Sequence, residues 1–339
     1  LFMLNDLEVR SAVLASGGSV AAATTPTSDA LPAGESGATG NASVGRPADP
    51  AAAAGPDDAV IQAVVAAVQA ARSGSPIPTD LNPAPAKVRD SVFDLPNGCE
   101  AVDNQDRNNV CPLGDVHASR TMAVIGDSHA GMWLPVLDKL AATAHYRLIP
   151  YIKFGCASAE VNRSPGTLHD GGSTERCNSW RAWVVGEVAK SHWDVVVLAY
   201  SHHNPIIHAD GSKMSLPERI AAFGDGMGKT IQKVRAATKR VVVLGDIPVL
   251  GVDPVECVTK RNATLKSCLN GLDEVRAVNA SVASAAQVGG AEFIDVLPWF
   301  CADACPMVIG NTIVYRDVNH ATTVYLEQLT DNMSRHLSL

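Results

Sequence analysis

Residues 121–133 are Thr-Met-Ala-Val-Ile-Gly-Asp-Ser-His-Ala-Gly-Met-Trp, a short apolar run followed by a turn of small residues. The run predicts a buried strand, and a helix is expected to start near Met132. Ser128 then lies where a strand enters a helix N-terminus, whose unpaired NH groups favour negative charge on a nearby oxygen. It is either a helix cap or a nucleophile. A phosphate-binding loop is disfavoured, because Met132 and Trp133 replace its Lys and Ser/Thr.

After Cys111 the chain alternates short apolar runs with helical stretches, which predicts an α/β domain with a parallel sheet covered on both faces. The predicted strands are 121–125, 147–152, 194–200, 240–245 and 292–296, and the predicted helices are 131–144, 174–190, 216–237, 273–287 and 321–337. Right-handed crossovers then give a three-layer, flavodoxin-like fold with a five-stranded sheet of order 2-1-3-4-5. In that order, the turn after the first strand lies at the switch point where ligands bind.

The region before Cys99 differs in composition from the rest. Residues from about 16 to 58 are largely Ala, Gly, Ser, Thr and Pro, and residues 1–58 are predicted to form a flexible linker. Residues 59–98 predict an extension with one helix over 59–72 and a Pro-rich arm wrapped onto the following domain, which spans 99–339. Because the chain starts Leu1-Phe2-Met3 without a basic lead, we expect a piece of a longer protein that supplied export upstream.

Composition excludes some classes of function. The 339 residues are 46% hydrophobic and 18% charged, enough for one well-buried core. The formal net charge is -8, and no run is dense in Lys and Arg, so a nucleic acid is not an expected partner. No apolar run reaches the roughly 18 residues that a membrane-spanning helix needs.

The eight cysteines form an even set that indicates disulfides and an oxidising, extracytoplasmic compartment. Their spacing does not fit a structural zinc site, which favours repeated tight two-cysteine knuckles. Pairing neighbours in order closes four short local loops. The predicted disulfides are Cys99–Cys111, Cys156–Cys177, Cys257–Cys268 and Cys301–Cys305.

A second motif, Arg316-Asp317-Val318-Asn319-His320, stands directly before the last predicted helix. On a loop entering a helix, this spacing lets the Asp317 carboxylate accept from Nδ1 of His320 and leaves Nε2 facing outward as a base. Alone, the motif is typical of helix capping. Combined with a Gly-Asp-Ser turn after the first strand of the same domain, it predicts a catalytic triad of Ser128, Asp317 and His320.

At these residues the chain resembles the SGNH hydrolase superfamily. The Gly-Asp-Ser-His-Ala sequence resembles one branch, the SGNH domain fused behind a membrane-embedded acyltransferase-3 domain in bacterial cell-envelope O-acyltransferases. The resemblance covers about residues 99–339, and the Pro-rich arm is similar to the extension that joins the two halves. It implies that Ser128 is the nucleophile, that Asp317 and His320 form the last block, and that Gly155 is the oxyanion glycine of the second block.

The third block departs from the family, whose Gly-x-Asn turn is replaced by Ser201-His202-His203-Asn204-Pro205. The expected oxyanion hole therefore uses the NH groups of Ser128 and Gly155, with Asn204 or His203 left open as third donor. Gly155 has a plain strand-ending turn as its alternative interpretation. We hypothesise that the disulfide from the adjacent Cys156 holds this loop in place.

Other polar and aromatic residues near the motifs have simpler interpretations. His129 and Asp127 are expected to brace the turn, and Asp246 either braces its own loop or lines the substrate cleft. The adjacent His202 and His203 point to opposite sides of an extended segment, so no metal is expected, and no cofactor. Trp299 is either a core residue or a platform that stacks on a sugar.

Three functions follow for such a site. The first is an O-acyltransferase that passes an acyl group, expected to be acetyl, through Ser128 to a hydroxyl of a cell-envelope glycan. The resemblance implies that an upstream membrane-embedded acyltransferase-3 domain supplies the donor at the extracytoplasmic face of the bacterial membrane. The second is an esterase that deacylates glycans, and the third is an inactive glycan- or partner-binding module.

Overall fold

The computed structural model describes residues 57–102, 104–164 and 173–339, so the predicted linker over 1–58 lies almost wholly outside the described residues. The described strands are β1 (Glu100–Ala101), β2 (Leu113–Gly114), β3 (Arg120–Gly126), β4 (Tyr146–Lys153), β5 (Trp193–Leu198), β6 (Thr238–Leu244), β7 (Leu269–Asn270), β8 (Glu292–Ile294), β9 (Cys305–Pro306), β10 (Val308–Ile309) and β11 (Thr312–Ile313). The α-helices are α1 (Asp58–Arg72), α2 (Ser128–Met132), α3 (Leu134–Thr143), α4 (Thr174–Ala189), α5 (Leu216–Arg235), α6 (Pro254–Thr259), α7 (Asp273–Val288), α8 (Thr323–Gln328) and α9 (Thr330–Leu337). Short 3-10 helices cover Pro85–Asp90, Leu265–Cys268 and Leu297–Trp299.

The central sheet has strand order β1-β4-β3-β5-β6-β8, with β2 paired to β4. The five strands β4-β3-β5-β6-β8 are parallel and reproduce the predicted order 2-1-3-4-5. The predicted count of five was wrong, since the described residues form a central sheet of seven strands. The parallel β1 and the antiparallel β2 each contain two residues, too few to give an alternating sequence pattern.

Different helices cover the two faces of the sheet. Along β3, Met122 and Val124 join the core beneath α1, α3, α8 and α9, whereas Ala123 and Ile125 join the core beneath α4, α5 and α7. Successive strand residues point to opposite faces, so a strand that is apolar on both must be covered twice. The described part of the chain therefore forms the predicted three layers.

Two predicted helices are each broken into two. The helix expected over 131–144 divides at Trp133, because Pro135 in the first turn of α3 has no NH to continue the α2 ladder. The helix expected over 321–337 begins only after Thr322, whose hydroxyl caps α8 by accepting from the Tyr325 NH. It divides again at Leu329, where α8 ends and α9 begins.

The extension packs against the C-terminal half of the chain. The predicted helix over 59–72 is confirmed as α1, and Asp57 just before it accepts from Trp299 Nε1 at 3.1 Å and from Asn332 Nδ2 at 2.8 Å. Trp299 is fully buried. The interpretation of Trp299 as a sugar platform was therefore wrong, because an indole covered by protein has no face left for a ligand.

All eight cysteines are disulfide-bonded, in the predicted neighbouring pairs Cys99–Cys111, Cys156–Cys177, Cys257–Cys268 and Cys301–Cys305. Four disulfides indicate that the protein folds in an oxidising compartment. Within the described ranges, no helix is long and apolar enough to cross a bilayer.

We predict that Gly126→Ala destabilises the protein by about 1–3 kcal/mol, because the added Cβ would collide with the Ala199 carbonyl and lie 2.7 Å from Ala130 Cβ. Gly186→Ala is the matched control, since no atom lies within 4 Å of its Cβ position in α4, and it should stabilise by about 0.5–1 kcal/mol. Urea unfolding measures both. Equal effects of the two substitutions would contradict the tight approach of β3 to the turn after β5.

Candidate active site

Ser128 is the first residue of α2, directly beyond the carboxyl end of β3. The preceding residue, Asp127, is fully buried and caps this helix by accepting from the His129 NH at 2.9 Å. Its other oxygen accepts from the Ser201 NH at 2.8 Å, which joins the turns after β3 and β5. Burial raises the pKa of Asp127, and the charge of His129 together with these two NH donors opposes that rise. Asp127 thus braces the turn that carries Ser128, as predicted from the sequence.

The loop before α8 brings Asp317 and His320 to the same point. His320 Nε2 lies 2.8 Å from Ser128 Oγ, and His320 Nδ1 lies 2.9 Å from both carboxylate oxygens of Asp317. Asp317 Oδ1 also accepts from the backbone NH groups of Asn319 and His320. These distances allow His320 to remove the Ser128 proton while Asp317 orients the imidazole ring.

The electrostatics of the pair fit this chemistry. Burial raises the pKa of Asp317, but the hydrogen bond and charge of His320 outweigh burial and hold that pKa well below its usual range. Burial lowers the pKa of His320, and nearby positive charge on His129 and Arg316 lowers it further against the opposing effect of Asp317. An ionised carboxylate beside a neutral imidazole is the resting state that a general base requires.

The predicted oxyanion residues lie around the same cleft as Ser128. Gly155 ends the turn after β4 with φ +72°, and an added Cβ there would collide with the Arg163 guanidinium. Asn204 and His203 also line the cleft, so the third donor stays a choice between them. The role of all these groups as oxyanion donors stays a prediction.

The cleft beside Ser128 has a volume of about 560 Å³. One wall comes from the Pro-rich arm through residues 92–95, a contribution that the sequence did not reveal. The other lining residues are Glu100, Ser128, Gly131, Met132, Leu134, Phe154, Gly155, His203, Asn204, Arg316, Asn319 and His320. An open cleft of this size holds far more than an acetyl group and so has room for a second substrate.

Asp246 lies behind the site rather than in the cleft, which corrects the alternative that it lines the substrate site. Asp246 is buried, its Oδ1 atom lies 2.5 Å from His129 Nδ1, and its Oδ2 atom lies 2.5 Å from His202 Nδ1. Burial would raise the pKa of Asp246, but the charges and hydrogen bonds of the two histidines hold it well below its usual range. Sequence reasoning found the loop-bracing role and missed both partners, because neither is near Asp246 in the chain.

Comparison with known proteins places this architecture. Residues 98–335 match the family described as "SGNH domain (fused to AT3 domains)", and the chain belongs to that family. Among solved structures, it is similar to the periplasmic domain of a lipopolysaccharide acetyltransferase from Salmonella ser. Paratyphi A, with a TM-score of 0.51 and 18% identity over 67% of this chain and 87% of that one. It is also similar to Est24, a carbohydrate acetylesterase from Sinorhizobium meliloti, with a TM-score of 0.42 and 12% identity over 65% of this chain and 99% of that one. No curated protein sequence matches the chain.

Family and fold together define the class of the protein. It has an SGNH hydrolase fold, and it is an acyltransferase or an ester hydrolase. The match excludes only the last few residues and the region before residue 98, so it includes every residue of the Ser128, Asp317 and His320 cluster.

We predict that kcat/KM for an acetyl ester rises with pH through a midpoint below 6.5, the ordinary pKa of histidine. The sign follows because a base must be unprotonated and burial disfavours the imidazolium form of His320. Arg316→Gln removes a positive charge that lowers this pKa, so its midpoint should move upward. A pH–rate profile of both proteins gives the answer, and a wild-type midpoint above that of Arg316→Gln would contradict the prediction.

We predict that replacing Cys156 and Cys177 by serine lowers kcat, because this disulfide closes a loop of sequence separation 21 that starts beside Gly155. The loss of stability should be near 3 kcal/mol. The matched control replaces the buried pair Cys257 and Cys268, of separation 11, which does not adjoin the cleft loop. That variant should lose stability and keep kcat. Equal kcat values for the two variants would show that the Cys156–Cys177 disulfide does not hold the loop that carries Gly155.

Proposed function

We propose that the protein is an O-acyltransferase that passes an acyl group, acetyl in the simplest case, through Ser128 to a hydroxyl of a cell-envelope glycan. The observation that carries the proposal is the 2.8 Å contact between Ser128 Oγ and His320 Nε2 in a domain whose family is fused to AT3 domains. The similarity to a lipopolysaccharide acetyltransferase domain supports a glycan acceptor.

In the first half-reaction, Ser128 Oγ attacks the acyl carbonyl carbon while its proton passes to His320 Nε2. The imidazolium that forms is stabilised by Asp317. Backbone NH groups of Ser128 and Gly155, with Asn204 or His203, are the proposed donors to the oxyanion. The tetrahedral intermediate then collapses, the leaving group takes the proton from His320, and Ser128 carries the acyl ester.

The second half-reaction reverses these roles with a new nucleophile. A sugar hydroxyl gives its proton to His320 and attacks the acyl ester, and Ser128 leaves as its alcohol after recovering that proton. Water in place of the sugar hydroxyl would give an esterase. The cleft has room for an acceptor sugar beside the acyl group, and an acceptor bound there would displace the water that competes with it.

The partners and location follow from the same proposal. The donor is a membrane-embedded acyltransferase-3 domain of the kind to which this family is fused, and the acceptor is a glycan outside the cytoplasm. The four disulfides support an extracytoplasmic position. We propose that the domain works at the outer face of the bacterial cell membrane, next to its donor.

The test offers the purified protein a chromogenic acetyl ester with and without a de-O-acetylated surface oligosaccharide. We expect acetylated oligosaccharide by mass spectrometry, and a loss of at least about a thousandfold in Ser128→Ala. Ser212→Ala, an exposed serine on the loop before α5, is the matched control and should keep full activity.

Three outcomes of this assay are distinct. Ser128-dependent acetyl-oligosaccharide supports the transferase. Ser128-dependent release of acetate, with no acetylated oligosaccharide formed when the oligosaccharide is present, would overturn the transferase in favour of an esterase. Turnover equal in Ser128→Ala and wild type would overturn both enzymatic proposals and leave a binding module.

A further inference from the structure

Directly behind the Ser128–His320 contact lies a buried cluster that the proposed mechanism does not use. It consists of His129, Asp246 and His202, whose side chains are no more than 4% exposed. Asp246 Oδ1 accepts from His129 Nδ1 and from the Ile247 NH, and Asp246 Oδ2 accepts from His202 Nδ1 and from the His202 NH. A carboxylate with two donors on each oxygen has its acceptor sites filled and its rotation fixed.

The backbone of Asp246 is held as firmly as its side chain. Its NH donates to Asn279 Oδ1 at 2.9 Å, and its carbonyl accepts from Asn279 Nδ2 at 3.0 Å. Tyr200 OH donates to the same Asn279 oxygen at 2.7 Å. Asp246 is therefore a rigid anchor set at the end of β6, and both histidines take their orientation from it.

The two histidines differ in what lies beyond them. The Nε2 atom of His129 lies 3.3 Å from the side-chain amide of Asn319, and the His129 ring packs edge-on against the His320 ring with centroids 5.0 Å apart. The amide nitrogen Nδ2 faces the ring and donates to Nε2 of a neutral His129, whereas a protonated His129 would require the amide to turn its oxygen towards the ring. Neither histidine lines the cleft, and within the described residues the His202 ring has no corresponding contact with Asn319 or His320.

Asn319 connects this contact to the triad. Its backbone NH donates to Asp317 Oδ1 at 3.0 Å, and its side chain lines the cleft. A change in the position of Asn319 therefore changes the carboxylate that orients His320. Displacements of about 1 Å in such groups can lower a rate by two orders of magnitude.

We propose that His129, anchored by Asp246, is a positioning residue that holds Asn319 and thereby fixes the Asp317–His320 pair against Ser128. The inference rests on the proposed function of the site. His202 makes the same bond to the same carboxylate without contacting Asn319 or His320, so the two histidines have different roles although both are at most 4% exposed and lie 2.5 Å from Asp246.

The experiment compares His129→Asn with His202→Asn in the full chain, using the chromogenic acetyl ester. An asparagine amide replaces the Nδ1 donor to Asp246 in both variants and loses the rest of the ring. Only His129→Asn breaks the contact with Asn319 and His320. We expect a fall of about tenfold in kcat with KM within twofold for His129→Asn, and kcat within twofold of wild type for His202→Asn, at similar losses in Tm.

A double-mutant cycle tests the route through Asn319. Asn319→Ala alone should also lower kcat about tenfold, and the double variant His129→Asn with Asn319→Ala should be no slower than the slower single variant. A kcat loss in the double variant equal to the product of the two single losses would overturn the proposal, and so would equal kcat losses in His129→Asn and His202→Asn. Wild-type kcat in Asn319→Ala would overturn it even if His129→Asn fails to fold.

The Ser128→Ala variant separates this proposal from the proposed function. Equal turnover by the wild-type protein and by Ser128→Ala would refute the proposed function itself. Ser128-dependent turnover that is insensitive to Asn319→Ala would refute the positioning role alone.

Discussion

The structure depends on one close approach, the 2.8 Å separation of Ser128 Oγ and His320 Nε2. The two residues come from opposite ends of the catalytic region, one from the turn after β3 and the other from the loop before α8. β3 places Ser128 at the carboxyl edge of the parallel sheet, and the loop after β6 holds the His320 loop there, because the Leu250 NH donates to the Val318 carbonyl at 2.7 Å. The absence of a side chain at Gly126 lets the first turn lie against the turn after β5. The contact between Ser128 and His320 is thus a consequence of how tightly these loops are packed.

Three carboxylates lie behind or within this edge, and each is matched to several donors. Asp127 joins two turns, Asp246 holds two histidines, and Asp317 orients His320. Burying a carboxylate is costly unless hydrogen bonds replace the lost water. The histidine partners hold the pKa values of Asp246 and Asp317 low against the effect of burial, whereas burial raises the pKa of Asp127 and lowers that of His320.

Sequence reasoning predicted what local pattern determines and missed what only the folded chain brings together. The apolar runs located the five main strands, their order followed from right-handed crossovers, and the cysteine pairs followed from their spacing. The two-residue strands β1 and β2 could not be found because two residues show no period, whereas Pro135, which breaks the helix at Trp133, is a local signal that the sequence prediction overlooked. The pairing of Asp246 with His129 and the arm wall at residues 92–95 join segments far apart in sequence. Nothing in the motif around Asn319 indicated its contact with His129.

The central claim is that Ser128 carries the acyl group between donor and acceptor. The most direct measurement is acid quenching of the protein within its first turnovers on an acetyl ester, followed by peptide mass spectrometry. The account predicts one added acetyl mass on the peptide that contains Ser128, removed when an acceptor oligosaccharide is added before the quench. An acetyl group found on another residue, or found equally on the Ser128→Ala protein, would contradict it.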